Sequence, residues 1–316
     1  MVRITPPGPY PIEQGTAAHL YPAGSEMNVA VAAAHLGLRV SYVTKVANNP
    51  LGRLIINKCS EHKVDTTWVR TSQTDRQGLL FFENAQSPRA GTVYYDRENS
   101  VFSKVESNDF EWDQIVKQTK VFLISGINPA VSTQAHRVTL DAVRKAKAHN
   151  CLVAFDTNYR SKLWDVLTAK EILKEYYPYI DMLFTSGRDA RSLFGFHDLH
   201  GDKLARKLSQ DLAIPTVVLV HSSEQKGSLW RISCVHQGED YSQEQGGRLV
   251  GVERLGAGDA MAGGFITGFL ESGPELGVVM GNASMTLKNT YVGDFTWVTR
   301  EIVDSFIAGD TYTLKR

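Results

Sequence analysis

At 316 residues and 35.0 kDa, with 42% hydrophobic residues, the chain is long enough for one large domain or two small ones around an extensive core. Its 34 basic and 34 acidic residues cancel to a formal net charge of zero, which argues against a general nucleic-acid binder and against disorder, yet a few placed arginines suffice for a small anion. Cys59, Cys151 and Cys234 form no Cys-x-x-Cys pair, the amino terminus has no signal-peptide core and no run of eighteen apolar residues occurs, so neither disulfides, zinc nor a membrane span is indicated and a reducing, cytoplasmic setting is expected.

In chain order, the segment from Trp68 to Arg97 reads as β-rich: residues 78–83 and 92–97 are strand-like, joined by a Pro/Gly/Ser-containing loop, with no helix pattern between. It suits an antiparallel lid over a substrate site, and equally a hairpin that extends the sheet or meets another subunit. Continuous apolar runs then recur at Val121–Ile124, Cys151–Phe155, Met182–Phe184 and Val217–Val220, about one strand-plus-helix length apart. Helical patterns lie between them at Ala135–Ala148, Lys170–Tyr177 and Asp202–Leu212. Strands apolar on both faces predict an α/β class, a doubly wound, mostly parallel sheet flanked by helices. Without repeats or linkers, residues 1–316 are expected to form one domain with a small β-sheet lid drawn from about 68–97, with part of 10–24 a candidate addition.

The densest small-residue cluster, Gly256-Ala257-Gly258-Asp259-Ala260-Met261-Ala262-Gly263-Gly264-Phe265, follows an expected strand at Arg248–Val252 and opens a helix. Backbone N–H groups at a helix start have no intrahelical partner, and the helix dipole adds positive potential, so the cluster suits a phosphate. The third glycine of a dinucleotide fingerprint would fall at Met261, and no Gly-Lys pair exists for a Walker A loop. Asp259 in the first turn can accept a proton from an attacking hydroxyl. The same residues also suit a tight strand-to-helix turn in which small side chains only permit close packing.

Gly256-Ala257-Gly258-Asp259, together with Gly24-Ser25-Glu26-Met27-Asn28-Val29-Ala30, Leu36-Gly37 and Asn49-Pro50-Leu51-Gly52, resembles the signature of the ribokinase-like (PfkB) sugar kinases. Within that family the chain is most similar to 2-keto-3-deoxygluconate kinases, through Arg3-Ile4-Thr5-Pro6-Pro7-Gly8, Tyr95-Asp96-Arg97, Phe155-Asp156-Thr157-Asn158-Tyr159-Arg160, Leu163-Trp164 and Gly293-Asp294-Phe295. The resemblance implies transfer of the γ-phosphate of ATP, with Mg2+, to a sugar-acid hydroxyl, and a homo-oligomer. It makes Asp259 the base and the amides of Gly256, Ala257 and Gly258 the anion hole. Gly24 and Asn28 would meet sugar hydroxyls, Tyr95 and Arg97 would reach in from the lid, and Arg160 would meet the acceptor's carboxylate or keto group. The last role has a physical basis of its own, since a guanidinium pairs a planar carboxylate through two parallel bonds. On the nucleotide side it points to Ser186, His221, Gly227 and Asn282, with Asp189 toward the metal.

The chain departs from the family pattern at several places. The family's first strand, which carries Gly-Glu or Gly-Asp, is expected to be missing ahead of Met1. Glu253-Arg254-Leu255 stands in place of Asp-Thr-Thr, and Ser186-Gly187-Arg188-Asp189 in place of Asn-x-x-Glu. Leu80 replaces a lid tyrosine, and His221 lies where a nucleotide-side lysine is usual. His197 and His200 have no partner at metal spacing and read as a polar loop.

Overall fold

The computed structural model describes residues 1–222, 229–244 and 251–310. The chain enters through strand β1 (Val2–Thr5) and β2 (His19–Pro22), then helix α1 (Ser25–His35), β3 (Thr44–Ala47), α2 (Pro50–Glu61), β4 (Val69–Ser72) and the hairpin β5 (Leu79–Glu83) and β6 (Thr92–Asp96). An α/β run follows: α3 (Trp112–Val116), β7 (Val121–Ser125), α4 (Ile127–Val131), α5 (Thr133–Ala148), β8 (Leu152–Asp156), α6 (Val166–Lys174), β9 (Met182–Ser186), α7 (Gly187–Phe194), α8 (Gly201–Leu212) and β10 (Thr216–Ser222). The hairpin β11 (Trp230–His236) and β12 (Glu239–Glu244) leads to α9 (Ala257–Ser272), α10 (Pro274–Lys288) and α11 (Arg300–Ile307).

Three sheets result among the described residues. The largest runs β12-β11-β10-β9-β8-β7. Its β7 to β10 members are parallel, and the β11–β12 hairpin closes one edge antiparallel. Both faces are covered: one core joins α5, α6, α7 and α8 to Phe155, Leu183 and Val217, and the other joins α9 and α10 to Ala154, Phe184 and Val218. This is the α/β class that unbroken apolar strands predict. The hairpin turn carries Gln237 at φ 50° and Gly238 at φ 90°, the left-handed pair that a two-residue connection needs to match strand twist.

The lid sheet has the order β2-β1-β5-β6. Its β2 lies within 10–24 and its β5 and β6 within 68–97, and residues 2–5, most of them in the motif Arg3 to Gly8 but not expected as a strand, form its second strand. The β4 strand at Val69–Ser72 does not join it; that stretch pairs in parallel with Thr44–Ala47 of β3, so the β-rich reading of 68–97 merged two sheets. Arg3 roots the lid in the body of the molecule. It is 1% exposed, pairs with Glu253 and lies 3.1 Å from Asp294, and its guanidinium sits 4.5 Å from the centre of the Tyr21 ring. The strand expected at Arg248–Val252 falls mostly outside the described residues, and Gly251 and Val252 are not strand.

Candidate active site

The site forms where α1 and α9 begin, above the carboxyl ends of the parallel strands, the edge at which open α/β sheets bind ligands. Two glycines set the helix positions. A Cβ at Gly263 would lie 2.7 Å from Ala32 and 3.0 Å from the Val29 carbonyl, so α9 lies directly against α1, and one at Gly264 would lie 2.7 Å from the Met280 carbonyl of α10. Close packing and function are therefore both readings of this one cluster.

That contact brings Asp259, in the first turn of α9, against the first turn of α1. Ser25 Oγ donates to Asp259 Oδ1 and Asn28 Nδ2 to Oδ2, each at 2.7 Å. Burial raises the Asp259 pKa, while these two donors and the charges of Arg160 and Lys288 pull it down. The carboxylate is thereby held in a fixed orientation. Asn28 is 5% exposed, and its Oδ1 has no hydrogen-bond partner, leaving an acceptor for a ligand hydroxyl. Gly24 caps α1 in an extended conformation.

Ser25 is itself oriented. Asn158 Nδ2 donates to Ser25 Oγ at 2.7 Å, and Asn158 N donates to Asp156 Oδ1 at 3.1 Å. Asn158 sits at φ 39°, a left-handed conformation that Asn tolerates better than most residues. Asp156 is enclosed, and its pKa is pushed up to about 8, first by burial and then by the Asp259 and Asp189 carboxylates. Neither Ser25, Asn158 nor Asp156 was singled out from sequence for a role, although all three lie inside the quoted motifs.

Ahead of α9, Gly256 is in the left-handed region at φ 78°, and a Cβ there would stand 2.0 Å from the Asp294 carbonyl; only glycine makes this turn. Gly258 differs, because a Cβ there meets nothing within 4 Å, so its bareness leaves room above the helix start. The amide of Ala257 donates to Arg254 O at 3.2 Å. Of the three expected anion-hole amides, those of Gly256 and Gly258 have no partner among the described residues.

Two arginines face the site without an ion-pair partner among the described residues. Arg97 is 8% exposed, stacks 4.0 Å from the Tyr95 ring centre and has a buried Nε with no acceptor. Arg160, just past β8, is close enough to influence Arg97, Asp156, Asp189 and Asp259. Asp189 lies in the first turn of α7, where Ser186 caps the helix by accepting from Asp189 N at 3.0 Å. Asp189 is buried, which raises its pKa against the pull of Arg188 and Arg160.

The expected nucleotide-side residues are not all free. Both ring nitrogens of His221 are engaged, with Ser222 O at 3.0 Å and Ser233 Oγ at 2.9 Å. Asn282 accepts from Trp230 Nε1 at 3.2 Å and donates to Glu244 O at 3.1 Å, tying α10 to the β11–β12 hairpin. Gly227 lies outside the described residues.

Residues 4–296 match the model of the pfkB family carbohydrate kinases. This chain belongs to the pfkB family. Among its relatives, the 2-dehydro-3-deoxygalactonokinase of Haloferax volcanii is 33% identical over 312 residues, covering 98% of this chain and 94% of that one. The crystal structure of 2-dehydro-3-deoxygluconokinase from Thermotoga maritima superposes with a TM-score of 0.90 at 28% identity, covering 98% of this chain and 96% of that one. An Escherichia coli structure in complex with ATP and Mg2+ shares the fold, with a TM-score of 0.84 at 18% identity over 98% of this chain and 96% of that one. As a pfkB carbohydrate kinase the protein is a sugar kinase that transfers phosphate from ATP to an alcohol group.

Proposed function

We propose that this pfkB kinase phosphorylates a 2-keto-3-deoxy sugar acid, with 2-keto-3-deoxygluconate as the acceptor and its 6-phosphate as product. The observation that carries this reading is Arg97, buried with an unmet Nε donor, together with half-buried Arg160, whose charge acts on Asp259 and on Arg97. A buried guanidinium with an unfilled donor costs free energy unless an anion meets it, and a carboxylated sugar supplies one where a neutral sugar does not. The named relatives act on acids of this class.

Asp259 takes the proton of the acceptor hydroxyl as its oxygen attacks the γ-phosphorus, and Ser25 and Asn28 keep the carboxylate aimed. The free amides of Gly256 and Gly258, at the positive end of α9, meet charge on the transferring phosphoryl group. Asp189 and Asp156 offer hard carboxylate oxygens of the kind Mg2+ accepts. Such an ion would be held there by one or two carboxylates plus nucleotide phosphates and water. Mg2+ bound there would offset phosphate charge.

The test is substitution of Arg160 by Ala, with ATP consumption measured on 2-keto-3-deoxygluconate, its galactonate epimer and fructose. KM for the acids is expected to rise at least tenfold more than KM for fructose. An equal rise for all three removes the carboxylate role, and preference for the epimer moves the assignment to the galactonate series.

A further inference from the structure

Lys288, the last residue of α10, is fully buried and has no part in the chemistry described above. Burying an ammonium is costly unless its charge and its three N–H donors are met. Among the described residues Lys288 Nζ has one acceptor, the Tyr291 carbonyl at 3.2 Å, and no ion-pair partner. Glu253 and Asp294 act on it through their charge, yet the direct contacts to these acids belong to other groups. Arg3 pairs with Glu253 and lies 3.1 Å from Asp294, and the second Glu253 oxygen accepts from Gly293 N at 2.9 Å.

What the lysine stem does meet is the turn that opens α9. A Cβ on Gly256 would stand 3.4 Å from Lys288 Cε, so the charged end of the side chain lies beside that glycine. The carboxyl end of α10 also holds the approach to the turn: Asn289 O accepts from Val252 N at 2.7 Å and from Glu253 N at 3.3 Å. Tyr291 N donates to Lys288 O at 3.0 Å, closing the loop whose carbonyl binds Nζ. Four charged groups face the ammonium: Arg3 from β1, Glu253 from the turn, Asp294 from the segment after α10 and Asp259 from α9. Its own charge in turn pulls the Asp259 pKa down. The negative end of the α10 dipole favours a cation at this place. The lysine charge and the positive end of α9 therefore act on the same space, where the amides of Gly256 and Gly258 have no partner among the described residues.

We propose that Lys288 is a positioning residue for phosphoryl transfer: its ammonium is a fixed positive charge beneath the Gly256 turn, which steadies the turn and draws the transferring phosphoryl group onto the free amides of Gly256 and Gly258. In a low-dielectric interior a charge so placed acts without contact. Because it offsets negative charge on the phosphoryl oxygens in the transition state, it acts on turnover more than on binding. The inference rests on the reading of this turn as the phosphate site and is independent of the acceptor's identity.

The experiment compares Lys288→Met, which keeps the unbranched stem without the charge, with Lys288→Arg, which keeps the charge. In Lys288→Met, kcat is expected to fall about 30-fold while KM for ATP and for the acceptor stays within about threefold, and Lys288→Arg is expected to recover most of the loss. A parent-like kcat in Lys288→Met, or a loss carried by KM, overturns the proposal, as does a Lys288→Arg variant no more active than Lys288→Met at the same melting temperature. A second measurement uses the unsubstituted protein carrying [ε-13C]lysine, in which Lys288 is the lowest-titrating lysine because burial lowers its pKa. AMP-PNP with Mg2+ is expected to raise that titration by about half a pH unit or more, and AMP, which lacks the γ-phosphate, is expected to leave it in place. No shift with AMP-PNP, or an equal shift with AMP, overturns the proposal. The amide resonances of Gly256 and Gly258 tell which reading has failed: if they move with AMP-PNP while Lys288 does not, the lysine's role fails alone, and if neither moves, the phosphate turn fails with it.

Discussion

Ser25 Oγ donates to Asp259 Oδ1 at 2.7 Å while accepting from Asn158 Nδ2 at the same distance. A hydroxyl that donates to a carboxylate favours its charged form. Replacing Ser25 with Ala removes that donor and raises the Asp259 pKa further. The acidic limb of the kcat/KM profile is expected to move to higher pH, and Ser25→Thr is expected to restore it. A profile that keeps its limb in Ser25→Ala, with only its height changed, would show that the bond does not tune the base.

Asp259→Asn keeps the shape and one acceptor oxygen but cannot take a proton. Turnover is expected to fall by about 10²–10⁴-fold, the usual worth of a positioned base. Binding of ATP and sugar acid, measured by calorimetry, should stay within a few-fold. Activity near that of the unsubstituted enzyme would take the base role away from Asp259.

The two glycines ahead of and within the first turn of α9 should separate folding from catalysis. Gly256→Ala forces a side chain into a left-handed position and against the Asp294 carbonyl, and a loss of about 1–3 kcal/mol of stability is expected from the backbone strain alone. Gly258→Ala meets open space, so its melting temperature should be unchanged or slightly higher. Its kcat should nevertheless fall at least tenfold, because the methyl group takes phosphate room. Equal stability losses in the two variants would contradict this division.

Asp156 has a folded-state pKa of about 8 against an ordinary value of 3.8. Folding therefore favours its protonated form. The stability this gives is fully present below about pH 4 and is lost as pH rises through 8. Because Asp259 and Asp189 raise the same group, the titration belongs to the cluster. Asp156→Asn should flatten the decline in melting temperature between pH 4 and 8 and melt higher than the parent at pH 8. Parallel declines in the two proteins would remove Asp156 from the titrating cluster.

What could be read from sequence depended on whether the determinant was local. The β7–β10 strands announce themselves through unbroken apolar runs, and the α9 start through a glycine pattern whose backbone needs are met within a few residues. The β12 strand did not, because Glu239-Asp240-Tyr241-Ser242-Gln243-Glu244 is mostly polar and half-exposed; its pairing with β11, not its composition, makes it a strand. The β4 strand fell inside the β-rich stretch from Trp68 without being singled out, because its partner, Thr44–Ala47, lies outside the local pattern. At the site, Asp259 stood out, whereas the Ser25–Asp259 and Asn158–Ser25 bonds span 234 and 133 residues. Asn282 and His221 have the chemistry of ligand-binding side chains, but Trp230, Glu244 and Ser233 occupy their polar atoms.

Arg3 gives the lid a mechanical asymmetry. Pulling β1 away from the body would strand Glu253 and Asp294 as uncompensated buried carboxylates, a penalty of about 3–5 kcal/mol for the broken pairing. Asp294 provides the carbonyl that packs on Gly256, so this anchor and the phosphate turn share one footing. Tyr95 stands opposite Leu80, which stands opposite Arg3, so the tyrosine beside Arg97 lies in the row that the anchor clamps, and its position is set from the same footing as the phosphate turn and not by the tip of the β5–β6 hairpin.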